Sequence, residues 1–196
     1  GGIARKQWDL FRRVKEGTLN PENVADALQA IIEDRFDGAT TFPIWKTVTL
    51  GTSRSVKDLR KALENGGYRI SDWASDILGQ RALKLAKEET EVALVKTSVK
   101  ELGFPEGATY KEICDRALEL GLHLCPAEVG PQLRLQYPDQ PRDEWLTIAM
   151  EPIPDSVGDP DVFHVAHGYD GRWLYTSWGR PDRFWDAGRR FVFVSK

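Results

Sequence analysis

The first residues show a helical repeat of apolar positions. Trp8, Phe11 and Val14 recur at every third position among arginines and lysines, which predicts a short amphipathic helix with a basic side. A second helix is predicted to begin after Asn20, because asparagine caps helix starts and the next residue is a proline. The pair predicts a helical hairpin at 1–37, which is a candidate element for self-association or for binding a protein partner.

A change of pattern follows this hairpin. The second helix is predicted to end at Arg35, and the stretch 37–43 has glycine, threonine and proline without any period. We therefore expect a mobile connection there, followed by the main domain at 44–196.

Further helices are predicted from local start signals. Ser55 with Asp58, and then Ser71, are each placed to cap a helix, and Thr109 with Glu112 forms a capping-box pattern. Glycines follow each of these segments and predict where the helices end.

Alternation of apolar and polar residues predicts strands. Two lie at 45–50 and 91–99. Four more are predicted near the end of the chain, at Glu144–Met150, Val162–Gly168, Trp173–Trp178 and Arg190–Val194. The predicted fold class is α+β, with a helical N-terminal portion followed by a C-terminal antiparallel β-meander and covering helices.

The clearest turn signal lies inside this meander. An Asp-Gly pair, Asp170-Gly171, separates two β-rich runs, as in a two-residue type I′ hairpin. Opposing Tyr169 to Arg172 then places His164 opposite Ser177. The prediction is a polar pair on one face of the sheet.

Composition limits the protein classes that fit. The 196 residues include 27 basic and 30 acidic side chains, so a net charge of -3 does not suggest a nucleic-acid coat or a membrane-surface protein. No apolar run is long enough to span a bilayer, and the start of the chain does not resemble a secretory signal. Two cysteines without a CxxC spacing favour free thiols and a cytoplasmic setting.

Four segments resemble a bacterial family known only as hypothetical proteins. They are Trp45–Thr52, Asp72–Gly79, Leu124–Tyr137 and Glu144–Pro152. The resemblance implies a bacterial cytoplasmic protein. The family has no known activity, so it implies no catalytic residue.

One enzymatic hypothesis centres on Cys125. Pro126 favours a helix start after it, where free backbone N–H groups would stabilise a thiolate nucleophile. A base would come from His123, His164 or His167, and Glu128 or Asp161 would orient that base. The ordinary alternative is that Cys125 is a small buried apolar side chain. A Ser177–His164 hydrolase has less support, because a serine in mid-strand lacks an oxyanion hole.

Metal binding has weaker support. His164 and His167 are three residues apart on a strand and therefore point to opposite faces. His123 and Cys125 share a face if extended, but no fourth ligand is indicated. We therefore predict no metal and no cofactor.

The last segment combines arginines with aromatic rings. Residues 172–196 contain six basic and two acidic residues, while 139–161 contains one basic and seven acidic residues, giving net charges of +4 and -6. Rings beside guanidinium groups can stack bases and contact phosphates, although pairing with the acidic segment could neutralise them. The candidate binding residues are Arg172, Trp178, Arg180, Arg183 and Trp185.

The leading functional hypothesis is a non-enzymatic binding or interaction module. One alternative is a cysteine-dependent hydrolase or transferase centred on Cys125, and a further alternative is single-stranded nucleic-acid binding by the arginine- and tryptophan-rich meander. The phosphate-loop, dinucleotide-binding, zincin and esterase motifs do not occur in the sequence.

Overall fold

A computed structural model describes residues 2–18, 20–32 and 42–195. The chain divides into two compact units, Gly1–Thr40 and Thr41–Lys196. Most of the predicted connection at 37–43, and the predicted helix end at Arg35, lie outside the described residues.

The first unit contains two helices, α1 (Gly2–Lys15) and α2 (Pro21–Ile32). On α1, the Asp9 carboxylate accepts hydrogen bonds from Arg12 and Arg13 on the following turn. Asn20 caps α2 by accepting a hydrogen bond from the Glu22 amide at 2.8 Å. Both predicted helices are therefore present. Their pairing into a hairpin and their part in association stay predictions.

The described part of the second unit contains four helices and ten strands. The helices are α3 (Val56–Asn65), α4 (Asp72–Gly79), α5 (Tyr110–Glu119) and α6 (Val129–Gln136). The strands are β1 (Lys46–Leu50), β2 (Arg69–Ile70), β3 (Thr90–Ser98), β4 (Ala108–Thr109), β5 (Trp145–Ile148), β6 (Ile153–Pro154), β7 (Pro160–Gly168), β8 (Gly171–Trp178), β9 (Phe184–Trp185) and β10 (Arg190–Val194).

The helix starts follow the predicted caps. Ser55 accepts from the Asp58 amide at the start of α3, and Ser71 accepts from the Ala74 amide at the start of α4. Thr109 and Glu112 form the complete capping box of α5. Each cap satisfies amide groups that a helix leaves without internal partners, so local sequence is enough to set these boundaries.

The sheet is mixed, so the predicted antiparallel meander is wrong. The strand order is β1-β3-β10-β5-β7-β8-β2, and β10 pairs antiparallel with β3 but parallel with β5. The helices also alternate with strands along the chain rather than preceding them. The α+β class itself is confirmed. Phe191, Val192 and Phe193 are fully buried, which suits a strand at the centre of a sheet that is covered on both faces.

Helix α6 packs against one face of this sheet at very short range. Its Gly130 lies over Phe163 of β7, and an added Cβ would come within 2.6 Å of the Phe163 Cβ. The other face is contacted by α5, where the Tyr110 hydroxyl donates to the Met150 carbonyl at 2.7 Å. The Tyr110 ring also lies 6.2 Å from the Phe191 ring.

We expect the Gly130→Ala variant to be less stable than the wild-type protein. Overpacking a core costs about 1–3 kcal/mol, whereas replacing glycine by alanine within a helix gains at most about 1 kcal/mol. Urea unfolding followed by tryptophan fluorescence would measure the change. Gly188→Ala is the matched control, because nothing lies within 4 Å of its added Cβ. A Gly130→Ala variant at least as stable as wild type would contradict the close packing of α6.

Candidate functional site

The β7–β8 hairpin differs from its predicted register by two residues. Gly168 pairs with Gly171, so Tyr169 and Asp170 form the loop and His164 lies opposite Tyr175. The predicted register placed the Asp-Gly pair itself in the loop and is therefore wrong. A shift of two residues keeps every side chain on its face of the sheet. His164 and Ser177 still meet diagonally, with 2.9 Å between the His164 Nδ1 and the Ser177 Oγ.

His164 is held as a neutral imidazole. Burial, with a smaller effect of the nearby Arg189 charge, lowers the pKa of His164 to about 3. Its ring lies 5.3 Å from that of Trp145, and its Nε2 has no hydrogen-bond partner among the described residues. A base this weak takes up almost no proton at neutral pH, and Ser177 lies in mid-strand on β8. The geometry therefore gives a structural polar pair rather than a hydrolase site.

Neutral His164 should make the fold sensitive to mild acid. The unfolded chain binds a proton at this residue below about pH 6.5, whereas the folded protein does not until about pH 3. The free energy of unfolding should therefore decrease as the pH falls from about 6.5 toward about 3, by up to about 1.4 kcal/mol per pH unit. Urea unfolding between pH 7.5 and 5 should show this slope in wild type and a smaller one in His164→Asn.

The control is His123→Asn, which removes an exposed histidine and leaves His164 in place. Equal slopes in wild type and His164→Asn would show that His164 is protonated in the folded protein.

Cys125 lies in the core rather than at a helix start. Helix α6 begins at Val129, so the predicted helix start after Cys125 is wrong. Cys125 instead forms a β-bridge with Met150, and its thiol lies 3.4 Å from the Val192 carbonyl oxygen. Burial raises the pKa of Cys125, which disfavours the thiolate that a nucleophile requires. Among the described contacts, none joins Cys125 to a histidine.

Both thiols should be slow to react in the folded protein. Burial raises the pKa of Cys125, and it raises that of Cys114 to about 12, so thiolate is scarce at neutral pH. Iodoacetamide at pH 7.5 should alkylate each cysteine more slowly than it alkylates glutathione, and at the glutathione rate once the protein is unfolded in urea. Faster alkylation of native Cys125 would instead support the cysteine-dependent enzyme.

The other residues of the cysteine and metal hypotheses lie apart. His123 is exposed and bridges Val194, whereas the His167 Nδ1 lies 2.7 Å from the Gln140 carbonyl. Glu128 is fully buried and accepts hydrogen bonds from the amides of Gly51 and Ala86, so it holds loops together rather than orienting a base. In the described ranges, no three His, Cys, Asp or Glu side chains could share a metal ion.

Four of the five predicted binding residues lie together, and one of the four is buried. The Arg180 guanidinium lies 5.2 Å from the Trp178 ring centre, and that of Arg183 lies 5.7 Å from Trp178 and 5.0 Å from Trp185. Trp185 is buried and cannot contact a partner directly. Arg172 lies opposite His167, six residues from Trp178 along β8, so it is about 20 Å from this cluster.

The loop that carries these arginines is fixed by α5. The first two amides of that helix, of Tyr110 and Lys111, donate to the carbonyls of Arg183 and Pro181 at 2.8 and 3.0 Å. Gly179 lies at the start of the loop, where an added Cβ would be 2.7 Å from Val162. Helix amides without internal partners thus anchor the loop, which orders its side chains before any partner binds.

Beside this loop is a cleft of about 350 Å³, which we call the Trp73–Trp178 cleft. It is lined by Trp73, Asp155, Asp159, Asp161, Thr176, Ser177, Trp178 and Arg183. The side chains of Trp73 and Trp178 are 49% and 51% exposed, which is unusual for the largest aromatic residue. The walls are joined, because Asp76 of α4 accepts hydrogen bonds from the Ser156 amide and hydroxyl.

The carboxylates of the cleft have different surroundings. Asp155 accepts hydrogen bonds from the amides of Val157 and Asp159 and orders their turn. Asp159 forms an ion pair with Arg180 at 2.6 Å, as the opposite charges of the two segments suggest. Asp161 is buried, and no ion pair among the described residues includes it. Burial, together with the Asp155 and Asp159 charges, raises the pKa of Asp161.

A larger cleft of about 560 Å³ is lined by three acidic and three basic side chains, so neither charge is in excess there. One of the acidic residues, Glu144, pairs with Lys96 at 2.8 Å and lies 3.6 Å from Arg190. The Trp73–Trp178 cleft is different, because three carboxylates and one arginine line it together with two half-exposed indoles.

Sequence reasoning missed Trp73 and Asp155. Trp73 belongs to the apolar pattern of α4, and only the packed structure shows that it lies at the edge of the buried stripe. The acidic segment 139–161 was a usable signal, because its residues 155–161 supply the carboxylates of the cleft.

No protein-family model, curated protein or solved structure matches this chain, so the resemblance to a bacterial family stays a prediction. Within the described residues, no helix has both the length and the apolar character needed to cross a bilayer.

Proposed function

We propose that this protein is a non-enzymatic binding module that recognises its partner at the Trp73–Trp178 cleft. The observation that carries the proposal is the pair of half-exposed indoles that line one ordered cleft. Tryptophan is enriched among the residues that dominate binding energy, because its ring buries a large apolar area at a low cost in side-chain entropy.

The order of the cleft also supports binding. Its arginine loop is anchored to α5 by two backbone hydrogen bonds, and α4 is tied to the 155–159 turn by Asp76. A site that is already ordered loses less conformational entropy when a partner binds.

Single-stranded nucleic acid is less well matched to this surface. Arg180 already pairs with Asp159, and three carboxylates line the cleft beside the single arginine, Arg183. These carboxylates would repel phosphates, and phosphate contacts supply most of the affinity of such binders. We therefore do not extend the proposal to nucleic acid.

Fluorine NMR would test the proposed cleft and does not require the natural ligand. The seven tryptophans would be replaced by 5-fluorotryptophan and assigned with single Trp→Phe variants. A panel of cationic, anionic and neutral fragments should shift the Trp73 and Trp178 signals selectively for one chemical class, because these half-exposed rings line one cleft. The signals of the buried Trp185 and of Trp8 in the other unit should stay in place.

A panel in which no fragment moves either cleft signal would contradict the proposed function. Equal movement of all seven signals would do the same, since it would indicate non-specific association.

A further inference from the structure

The charge within the Trp73–Trp178 cleft is not balanced. Three carboxylates and one arginine line it, and one of the carboxylates, Asp159, has its cation in Arg180. Asp161 is only 3% exposed and lines the cleft, yet no described cation pairs with it. A buried carboxylate without a cation is costly, so the cleft offers a strong position for a positive charge.

Arg183 does not fill this position. Its guanidinium lies between the indoles of Trp178 and Trp185, at 5.7 and 5.0 Å from their centres. Trp178 already has arginines close to its ring, because Arg180 lies 5.2 Å from it. The nearby arginines therefore contact Trp178, and Asp161 has no cation among the described residues.

Trp73 supplies a second point of attraction for a cation. Its indole is half exposed, and no ring or cation of the described residues contacts it. An indole face attracts an ammonium or guanidinium group through its quadrupole, most strongly when water is partly excluded. Trp73 and Asp161 therefore place an aromatic ring and an anion in the lining of one cleft of about 350 Å³.

We propose that the cleft binds an alkylguanidinium or alkylammonium group, supplied by an arginine or lysine side chain of a protein partner. This inference rests on the proposed function and specifies its ligand. The cationic end would lie between the Trp73 indole and the Asp161 carboxylate, and its alkyl stem would lie along Trp178.

The rim favours a protein as the source of that cation. Val157 is 71% exposed and lies in the turn between Asp155 and Asp159, which both line the cleft, and Trp73 and Trp178 are themselves half exposed. Exposed apolar side chains around a charged pocket give a partner a surface to cover. A free polyamine carries the same cationic chemistry but would leave this rim uncovered.

The test uses matched ligands and the full chain. Isothermal titration would compare N-acetyl-arginine amide with N-acetyl-citrulline amide, which has the same shape without the charge. We expect the neutral analogue to bind at least about tenfold more weakly, as loss of a charge-assisted contact implies. A short arginine-containing peptide with apolar flanking residues should bind more tightly than spermidine or agmatine if the source is a protein.

Two variants locate the cation. Trp73→Leu should weaken binding of N-acetyl-arginine amide by about 2- to 30-fold, the range of a cation–π contact. Asp161→Asn should weaken it by about tenfold or more through loss of the ion pair. Matched controls are Trp145→Leu and Asp186→Asn, which line the other cleft and should bind with unchanged affinity.

Asp161→Asn also separates loss of binding from loss of folding. The pKa of Asp161 is raised in the folded protein, so its ionised form destabilises the fold as the pH rises above the ordinary value of 3.8. Thr176 donates a hydrogen bond to the Asp161 carboxylate, and the neutral amide oxygen can still accept it without that cost. The variant should therefore melt at or above the wild-type temperature at pH 7 while it binds less tightly.

Equal affinities for the arginine and citrulline amides would overturn this inference, as would unchanged affinity in both variants. Tighter binding of spermidine than of the peptide would overturn the assignment to a protein partner. Selective shifts of the cleft tryptophans by neutral fragments alone would leave the proposed function standing without its cationic ligand. No shift by any fragment would remove both.

Discussion

Strand β10 is the constraint on which the rest of the second unit depends. It joins β3 on one side and β5 on the other, so the last strand of the chain connects the two halves of the sheet. The chain must first pass from β8 back over two strands to reach this place, a distance of about 14 Å at ordinary strand spacing. The segment 179–189 makes that passage, and β9 within it pairs with β4. The path of the chain from β8 to β10 therefore sets the position of the arginine loop and of Trp178.

One ion pair joins two oppositely charged segments of the chain at the cleft. The acidic 155–161 turn and the basic 179–189 segment meet at the Arg180–Asp159 pair. Surface pairs of this kind add little stability, so the main effect is to hold two walls of the cleft in one arrangement. Asp161 lies deeper and is not matched. The balance of charge along the sequence therefore does not show that the buried Asp161 has no cation among the described residues.

Much of the local structure follows from the sequence, while the long-range arrangement does not. Ser55, Ser71 and Thr109 mark helix starts because their side chains act on amides within three residues. Strand order depends on contacts between distant segments, and nothing in residues 190–194 shows that they pair parallel to β5. The hairpin register was wrong for a related reason. The prediction placed Asp170 and Gly171 at the two loop positions, whereas Tyr169 and Asp170 occupy them. The Asp170 carboxylate accepts hydrogen bonds from Trp173 and Arg69, which fixes the loop in this register.

The sequence predicted the part of the candidate site that comes from one segment of the chain, and not the part that long-range contacts bring to it. Composition indicated an arginine- and tryptophan-rich recognition surface, and Trp178, Arg180 and Arg183 do lie together. The two residues on which the proposed cation site depends, Trp73 and Asp161, come from segments about 90 residues apart, and only folding brings them to one cleft.

The protonation states of three residues argue against the catalytic roles considered for them. Burial keeps His164 neutral and keeps both cysteines as thiols, so these three side chains are poor bases and nucleophiles at neutral pH. Among the carboxylates of the cleft, Asp155 binds the amides of its turn and Asp159 pairs with Arg180, whereas no described cation pairs with the buried Asp161. General acid–base catalysis on a substrate needs a donor and an acceptor with separated pKa values. The proposed cation site asks less of the cleft, because a fixed anion beside an exposed indole attracts positive charge without any proton transfer.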